Sequence, residues 1–261
     1  MAKAKLIDVT RCTACRSCQT ACKNWNKLPA VETQFIGSYE NPPEFQPTTW
    51  TRVIFNEHGS NGSVKWYFAK KQCMHCVDAA CESICPAEAI SHTTYGNVYI
   101  DHAKCIGCGA CVGACPFNVP RVDPANNKSR KCTMCLDRLT NDLPPACVNA
   151  CPVDALSFGD REEMIALGEE KVAALKEKGY SNAQLYGVEE LGGLGVMYVL
   201  ADSPAAYNFP ENPTISSSVY LWKIALGPVK TLATIGLAAG ALSNWLKLRK
   251  EEVIKEDLAK E

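Results

Sequence analysis

The sequence predicts an α+β fold: two modules built on cysteine groups, a β-hairpin insertion, and one C-terminal transmembrane helix. Three observations predict it. Sixteen cysteines fall into four groups with none between them. The residues leading into the first group recur ahead of the third. An apolar run bracketed by two tryptophans precedes a charged tail.

The most informative stretch is Cys105-Ile106-Gly107-Cys108-Gly109-Ala110-Cys111-Val112-Gly113-Ala114-Cys115-Pro116. It reads C-x2-C-x2-C-x3-C-P, the run that holds cubane iron–sulfur clusters in bacterial ferredoxins. Three closely spaced thiolates wrap one cluster, and the fourth, turned away by the proline, reaches a second. Glycine and alanine between them let the backbone close in. Each module is therefore expected to be ferredoxin-like and to carry two clusters.

Length and composition bound the alternatives. The 261 residues suffice for one or two domains and a core. A net charge of −1 argues against a nucleic-acid partner. The cysteines are too sparse for a short disulfide-built secreted protein, and their grouping does not suit a disulfide framework. Met1 to Asp8 run almost directly into the first cysteine, leaving no space for the apolar part of a secretory signal.

In chain order, group I is Cys12-x2-Cys15-x2-Cys18-x3-Cys22, with Lys23 in place of the proline. Leu6-Ile7-Asp8 before it echoes Tyr99-Ile100-Asp101 before group III at the same offset, the mark of a duplicated module. Residues 23–70 are an insertion. Trp50–Phe55 and Val64–Phe68 are β-rich and separated by Glu57–Gly62, which predicts a hairpin. Group II is Cys73-x2-Cys76-x4-Cys81-x3-Cys85-Pro86. His75 within it is expected to pack or hydrogen-bond near a cluster, since four cysteines suffice as ligands. Between groups II and III, Ala89-Ile90 and Val98-Tyr99-Ile100 flank a turn at Tyr95-Gly96-Asn97, a short hairpin. The link from Asn118 to Lys131 is polar and predicts no hairpin. Group II is accordingly paired with III, which leaves I with IV.

Group IV is Cys132-x2-Cys135-x11-Cys147-x3-Cys151-Pro152, its long gap a loop at Pro144-Pro145. Cys-Pro-x-x-Ala-Leu at 151–156 repeats Cys-Pro-x-x-Ala-Ile at 85–90. Arg161 to Gly179 has helical periodicity. Leu191-Gly192-Gly193-Leu194-Gly195 lacks the strand-then-helix setting of a nucleotide site and reads as a loop. A helix from Trp222 to Trp245 spans roughly 35 Å, against a hydrocarbon core of ~30 Å. The two indoles suit the interfaces. Lys230 lies about 12 Å in from Trp222 and must meet a protein partner or snorkel. The basic flank Lys247, Arg249 and Lys250 directs the C-terminus to the cytoplasm and the cysteine domain outside.

The resulting division is 1–22 with 117–160 for groups I and IV, 23–70 for the insertion, and 71–116 for groups II and III. Residues 161–218 form a helix and partner-contacting extension, 219–246 the membrane helix and 247–261 a charged cytoplasmic tail.

The four groups in this order resemble the iron–sulfur β subunit of membrane-bound formate dehydrogenase of the respiratory N type. The likeness extends to Trp50-Thr51, Cys73-Met74-His75-Cys76, Cys115-Pro116-Phe117-Asn118-Val119-Pro120-Arg121, Lys131-Cys132-Thr133-Met134-Cys135-Leu136-Asp137-Arg138, Pro145-Ala146-Cys147-Val148, Val196-Met197-Tyr198-Val199-Leu200 and Leu221-Trp222-Lys223. It covers nearly the whole chain; Ala79-Ala80 departs from the family's usual Pro-Gly turn. The cysteine groups alone mark a wider family serving molybdenum and tungsten enzymes, and residues 160–223 point to formate.

The resemblance implies four [4Fe–4S] clusters. One takes Cys12, Cys15, Cys18 and Cys151, and its neighbour Cys132, Cys135, Cys147 and Cys22. In the other module one takes Cys73, Cys76, Cys81 and Cys115, beside Cys105, Cys108, Cys111 and Cys85. It implies a molybdenum- or tungsten-pterin catalytic partner, a membrane cytochrome b partner and a single-pass anchor in the bilayer. Export of the cysteine domain would ride on the twin-arginine signal of the catalytic partner. No substrate chemistry is expected on this chain, since no Ser/His/Asp set, paired carboxylates or open metal site stands out. Arg11, Lys104, Arg130 and Lys131 precede ligands and are candidates to raise cluster potentials, or are solvated surface. The competing readings are the same wire in a sulfoxide, polysulfide or nitrate reductase or a hydrogenase, a free soluble ferredoxin, and a structural zinc protein with four-cysteine sites.

Overall fold

The computed structural model describes residues 2–60, 62–222, 224, 240–245 and 249. In chain order its first half comprises β1 (Lys3–Asp8), α1 (Ser17–Trp25), β2 (Arg52–Ser60), β3 (Ser63–Lys71), α2 (Ala80–Ser83), β4 (Ile90–His92), β5 (Val98–Ile100) and α3 (Ala110–Ala114). There follow β6 (Arg121–Asp123), β7 (Lys128–Arg130), α4 (Leu136–Leu139), α5 (Ala146–Asn149), β8 (Leu156–Asp160), α6 (Arg161–Glu177), β9 (Gln184–Tyr186) and β10 (Val196–Leu200).

One four-stranded sheet, ordered β8-β1-β10-β9, is the platform. β1 runs antiparallel to β8 and parallel to β10, with Lys5 opposite Phe158 on one side and Val196 on the other. Alternation along these strands sorts side chains to two faces. Ala4, Leu6, Met197 and Val199 meet Met164, Val172 and Leu175 of α6. Each large aliphatic side chain so buried contributes about 1.5–3 kcal/mol. Gly168 lets α6 lie close, because a Cβ there would stand 2.6 Å from Leu185. Ile7, Val196, Tyr198 and Leu200 take the opposite face, in the core that also holds Cys18 and Cys147. The cysteine loops thus sit on the side of the sheet away from α6.

Three two-stranded hairpins complete this unit. The β2–β3 ladder runs from Arg52↔Lys71 to Ser60↔Ser63, so the strands include most of Glu57–Gly62, which the sequence suggested as their connection. The two residues left between the paired ends, 61–62, are Asn-Gly in sequence, a pair of the type that closes two-residue hairpins. β4–β5 pairs Ile90 with Ile100 between groups II and III. A further hairpin, β6–β7, pairs Arg121 with Arg130 between groups III and IV, where the sequence suggested none. Turn chemistry made it: Asp123 Oδ1 accepts the Ala125 amide at 3.0 Å, and Asn127 takes φ +53°. The presence of a hairpin in both links removes the argument that paired group II with III by that feature alone.

The chain divides after Ser216. In the second unit, residues 217–222 and 240–245 are helical. Among the described residues no helix is long and apolar enough to cross a membrane. The membrane helix expected over 219–246 falls largely outside the described residues.

Candidate metal centres

The cysteine runs share one backbone design. Asp8 Oδ1 accepts the Thr10 amide at 3.1 Å, and Asp101 Oδ1 accepts the Ala103 amide at 2.8 Å. The repeated Ile-Asp is therefore the turn that launches groups I and III, four residues before the first cysteine. Two residues past that first cysteine the backbone is left-handed in all four groups: Ala14 (φ 54°), His75 (φ 50°), Gly107 (φ 72°) and Met134 (φ 59°). For the three that are not glycine this costs on the order of 1–3 kcal/mol, which the surrounding structure must offset. The conformation turns successive N–H groups inward, a cradle for an anion. At Gly107 glycine is obligatory, since a Cβ would lie 2.1 Å from the Asn127 carbonyl oxygen.

The far ends of the runs also repeat. Three residues past the last cysteine of groups II, III and IV, Glu88, Asn118 and Asp154 are left-handed at φ 51°, 51° and 49°. The next amides, of Ala89 and Ala155, donate to the Cys85 and Cys151 sulfurs at 3.3 Å each. That is the reason for the repeated Cys-Pro-x-x-Ala. Proline biases the residue before it away from helix, so α3 stops at Ala114 and Cys115 is extended. Group I lacks the proline, and α1 continues through Cys22 to Trp25.

These loops close around two cavities. One is lined by Cys12, Cys15, Cys18 and Cys151 together with Lys70. The second is lined by Cys85, Cys105, Cys108 and Cys111. Of the other eight cysteines, Cys22, Cys73 and Cys132 share one buried cluster with Cys115 packed against it. The α1 and α5 helices, which carry Cys22 and Cys147, pack together. Among the described residues no three His, Cys, Asp or Glu side chains converge as they would on a single ion. Thiols arrayed around a cavity, with amides aimed at their sulfurs, fit an iron–sulfur group.

Residues 64–161 match the model of the 4Fe-4S dicluster domain and residues 10–25 that of a 4Fe-4S binding domain. The chain is 44% identical to the formate dehydrogenase iron-sulfur subunit of Haemophilus influenzae, over 93% of this chain and 80% of that protein. It is 46% identical to the formate dehydrogenase-O iron-sulfur subunit of Escherichia coli, over 90% and 79%. It is 40% identical to formate dehydrogenase 2 subunit beta (cytochrome c-553) of Nitratidesulfovibrio vulgaris, over 79% and 97%. The chain belongs to the family of formate dehydrogenase iron–sulfur subunits.

In this iron–sulfur subunit further donors reach the sulfurs. The Ser129 amide lies 3.4 Å from Cys105 Sγ, its hydroxyl 3.2 Å from Cys111 Sγ, and the Met134 amide 3.4 Å from Cys132 Sγ. Burial pushes the Cys18 and Cys22 thiols up to about 12 and Cys115 to about 11. Cys76 is raised by burial and then by Cys73, Cys115 and Cys81. At Cys147 burial also acts upward, but Lys5 and Lys70 outweigh it and the pKa falls.

His75 packs as expected. Its Nδ1 accepts the Val98 amide at 3.1 Å, which places the ring proton on Nε2. Burial, then Lys131 and Lys5, hold its pKa well below the usual value, so the ring is neutral. The glycine-rich stretch from Leu191 to Gly195 is a loop laid along group II. The Val77 and Asp78 amides donate to the Gly193 and Leu191 carbonyls at 2.8 Å, and the Gly195 amide to the His75 carbonyl at 3.0 Å.

The four basic residues preceding ligands fare differently. Arg11 and Lys104 are exposed. Arg130 is paired with Asp123 at 2.8 Å. Lys131 is buried, and although burial opposes its charge, Cys73, Cys81 and Cys132 raise its pKa. Sequence reasoning missed two more buried lysines, Lys5 and Lys70, and Gln72 between them. Nothing in the sequence sets them apart, since Lys5 stands in a strand that also carries Lys3 and Asp8.

Proposed function

We propose that this iron–sulfur subunit carries four [4Fe–4S] clusters and passes electrons between a formate-oxidising, or carbon dioxide-reducing, molybdenum or tungsten subunit and a membrane cytochrome b subunit. The ligand sets are Cys12, Cys15, Cys18 and Cys151; Cys132, Cys135, Cys147 and Cys22; Cys73, Cys76, Cys81 and Cys115; and Cys105, Cys108, Cys111 and Cys85. The observation that carries this reading is the pair of cavities, each lined by three cysteines of one group and one of another. When bound, a cubane takes up and releases one electron with little movement of the protein.

The protein's own contribution is to hold and surround the thiolates. Amides of Ala89, Ala155, Ser129 and Met134 spread their negative charge. The sheet and the β4–β5 and β6–β7 hairpins exclude water from one side of the runs. Anchoring in the bilayer through residues 219–246 is supported by the exposed Leu221, Trp222, Ile224, Leu242 and Trp245; the extracytoplasmic placement of the cluster domain rests on the basic flank Lys247, Arg249 and Lys250 alone.

Anaerobically prepared protein is expected to hold about sixteen iron and sixteen acid-labile sulfide atoms, four of each per cubane. The large subunit that co-purifies should oxidise formate. Zinc without sulfide, or a large subunit that turns over a sulfur or nitrogen oxide instead, would overturn the corresponding part.

A further inference from the structure

We propose that Lys5 and Lys70, held on the shared side-chain oxygen of Gln72, form a fixed cationic junction between the Cys12/Cys15/Cys18/Cys151 and Cys132/Cys135/Cys147/Cys22 sets, raising the reduction potential of both centres. The inference rests on the ligand sets proposed above.

Lys5 is fully buried and Lys70 is 1% exposed, as is Gln72. Lys5 Nζ donates to Gln72 Oε1 at 3.2 Å and to Cys147 Sγ at 3.6 Å. Lys70 Nζ donates to the same Gln72 oxygen. It also lines the cavity of Cys12, Cys15, Cys18 and Cys151. One ammonium therefore touches a thiol of the second set, the other lines the cavity of the first, and one neutral acceptor ties them together.

Both lysines are anchored by regular structure. Lys5 sits in the sheet between Phe158 and Val196. The Lys70 carbonyl accepts the Tyr198 hydroxyl at 2.8 Å. Neither side chain is free to swing to solvent.

Withdrawing an ammonium from water is costly unless an anion faces it. No ion pair among the described residues involves Lys5 or Lys70. A glutamate at 72 would have neutralised one of the two lysines; a glutamine leaves both charges to the sulfurs. A four-thiolate cubane becomes more negative on reduction, and a fixed cation beside it favours that state. Lys5 and Lys70 are positioning residues in this sense: they set a potential without binding iron.

The test is an anaerobic redox titration of the intact subunit complex, followed by electron paramagnetic resonance. Lys5→Met should lower one midpoint so that its reduced-to-oxidised ratio at the wild-type midpoint falls about tenfold, equivalent to ~59 mV for a one-electron couple. Lys5→Arg should largely restore it. Gln72→Glu keeps volume and both lysines, and should lower two midpoints with iron and sulfide content unchanged. If Lys5→Met does not fold, Gln72→Glu decides. Wild-type levels of sulfide with unmoved or raised midpoints in Gln72→Glu overturn this inference alone. Wild-type protein without sulfide overturns the functional reading as well.

Discussion

The Ala155 amide stands 3.3 Å from the Cys151 sulfur, with Asp154 between them in the left-handed conformation at φ 49°. Ala89 and Cys85 repeat the contact around Glu88. A hydrogen bond to a charged group contributes about 1.5–3 kcal/mol. Ala155→Pro removes the donor and is expected to destabilise the loaded protein by at least that amount in denaturant melts. Ala155→Gly keeps the amide and should cost less.

Ligand sharing between distant groups makes a sharp spectroscopic prediction. Cys15→Ser and Cys151→Ser should abolish the same paramagnetic signal although they are far apart in sequence. Cys108→Ser and Cys85→Ser should abolish a different one. Loss of unrelated signals by Cys15→Ser and Cys151→Ser would break the assignment.

Gly107 and Gly113 lie in the same run but differ in surroundings. A Cβ at Gly107 meets the Asn127 carbonyl at 2.1 Å on a backbone of φ +72°, whereas a Cβ at Gly113 meets nothing within 4 Å. Gly107→Ala is expected to cost about 2 kcal/mol or more and to reduce iron content. Gly113→Ala, within α3, should be neutral or stabilise by about 0.5–1 kcal/mol. Melting curves and iron assays of the two variants check this.

Asp123 serves the β6–β7 turn twice, capping the Ala125 amide at 3.0 Å and pairing with Arg130 at 2.8 Å. Asp123→Ala should destabilise by about 1–2 kcal/mol. Asp123→Asn, which retains the cap, should recover part of that. Because the Ser129 amide and hydroxyl reach Cys105 and Cys111 from this hairpin, Asp123→Ala should also broaden the signal of that centre.

The candidate ligands were legible because their spacing encodes local backbone geometry: a left-handed residue two past the first cysteine and, in groups II, III and IV, a proline after the last. Those constraints act within a few residues and leave a written trace. The β6–β7 hairpin left little, because Arg121-Val122-Asp123 and Lys128-Ser129-Arg130 are short and polar, and only the Asp123 turn betrays them. Glu57–Gly62 reads as the separator of β2 and β3, yet the ladder runs on to Ser60↔Ser63, beyond which the Asn-Gly pair has the stronger hairpin chemistry. Lys5 and Lys70 were invisible for another reason. Lysine is ordinarily a surface residue, and their burial depends on partners separated by much of the chain, Cys147 lying 142 residues from Lys5.

The placement of β1 between β8 and β10 has a consequence for biogenesis. The strands on either side of β1 begin only at Leu156 and Val196, so Lys5 is not enclosed in the sheet until both have left the ribosome. Two of the four proposed cages likewise wait for Cys147 and Cys151. Iron and sulfide for these two cages must therefore arrive after Cys147 and Cys151 have been made, and a nascent chain arrested before residue 147 should leave both incomplete.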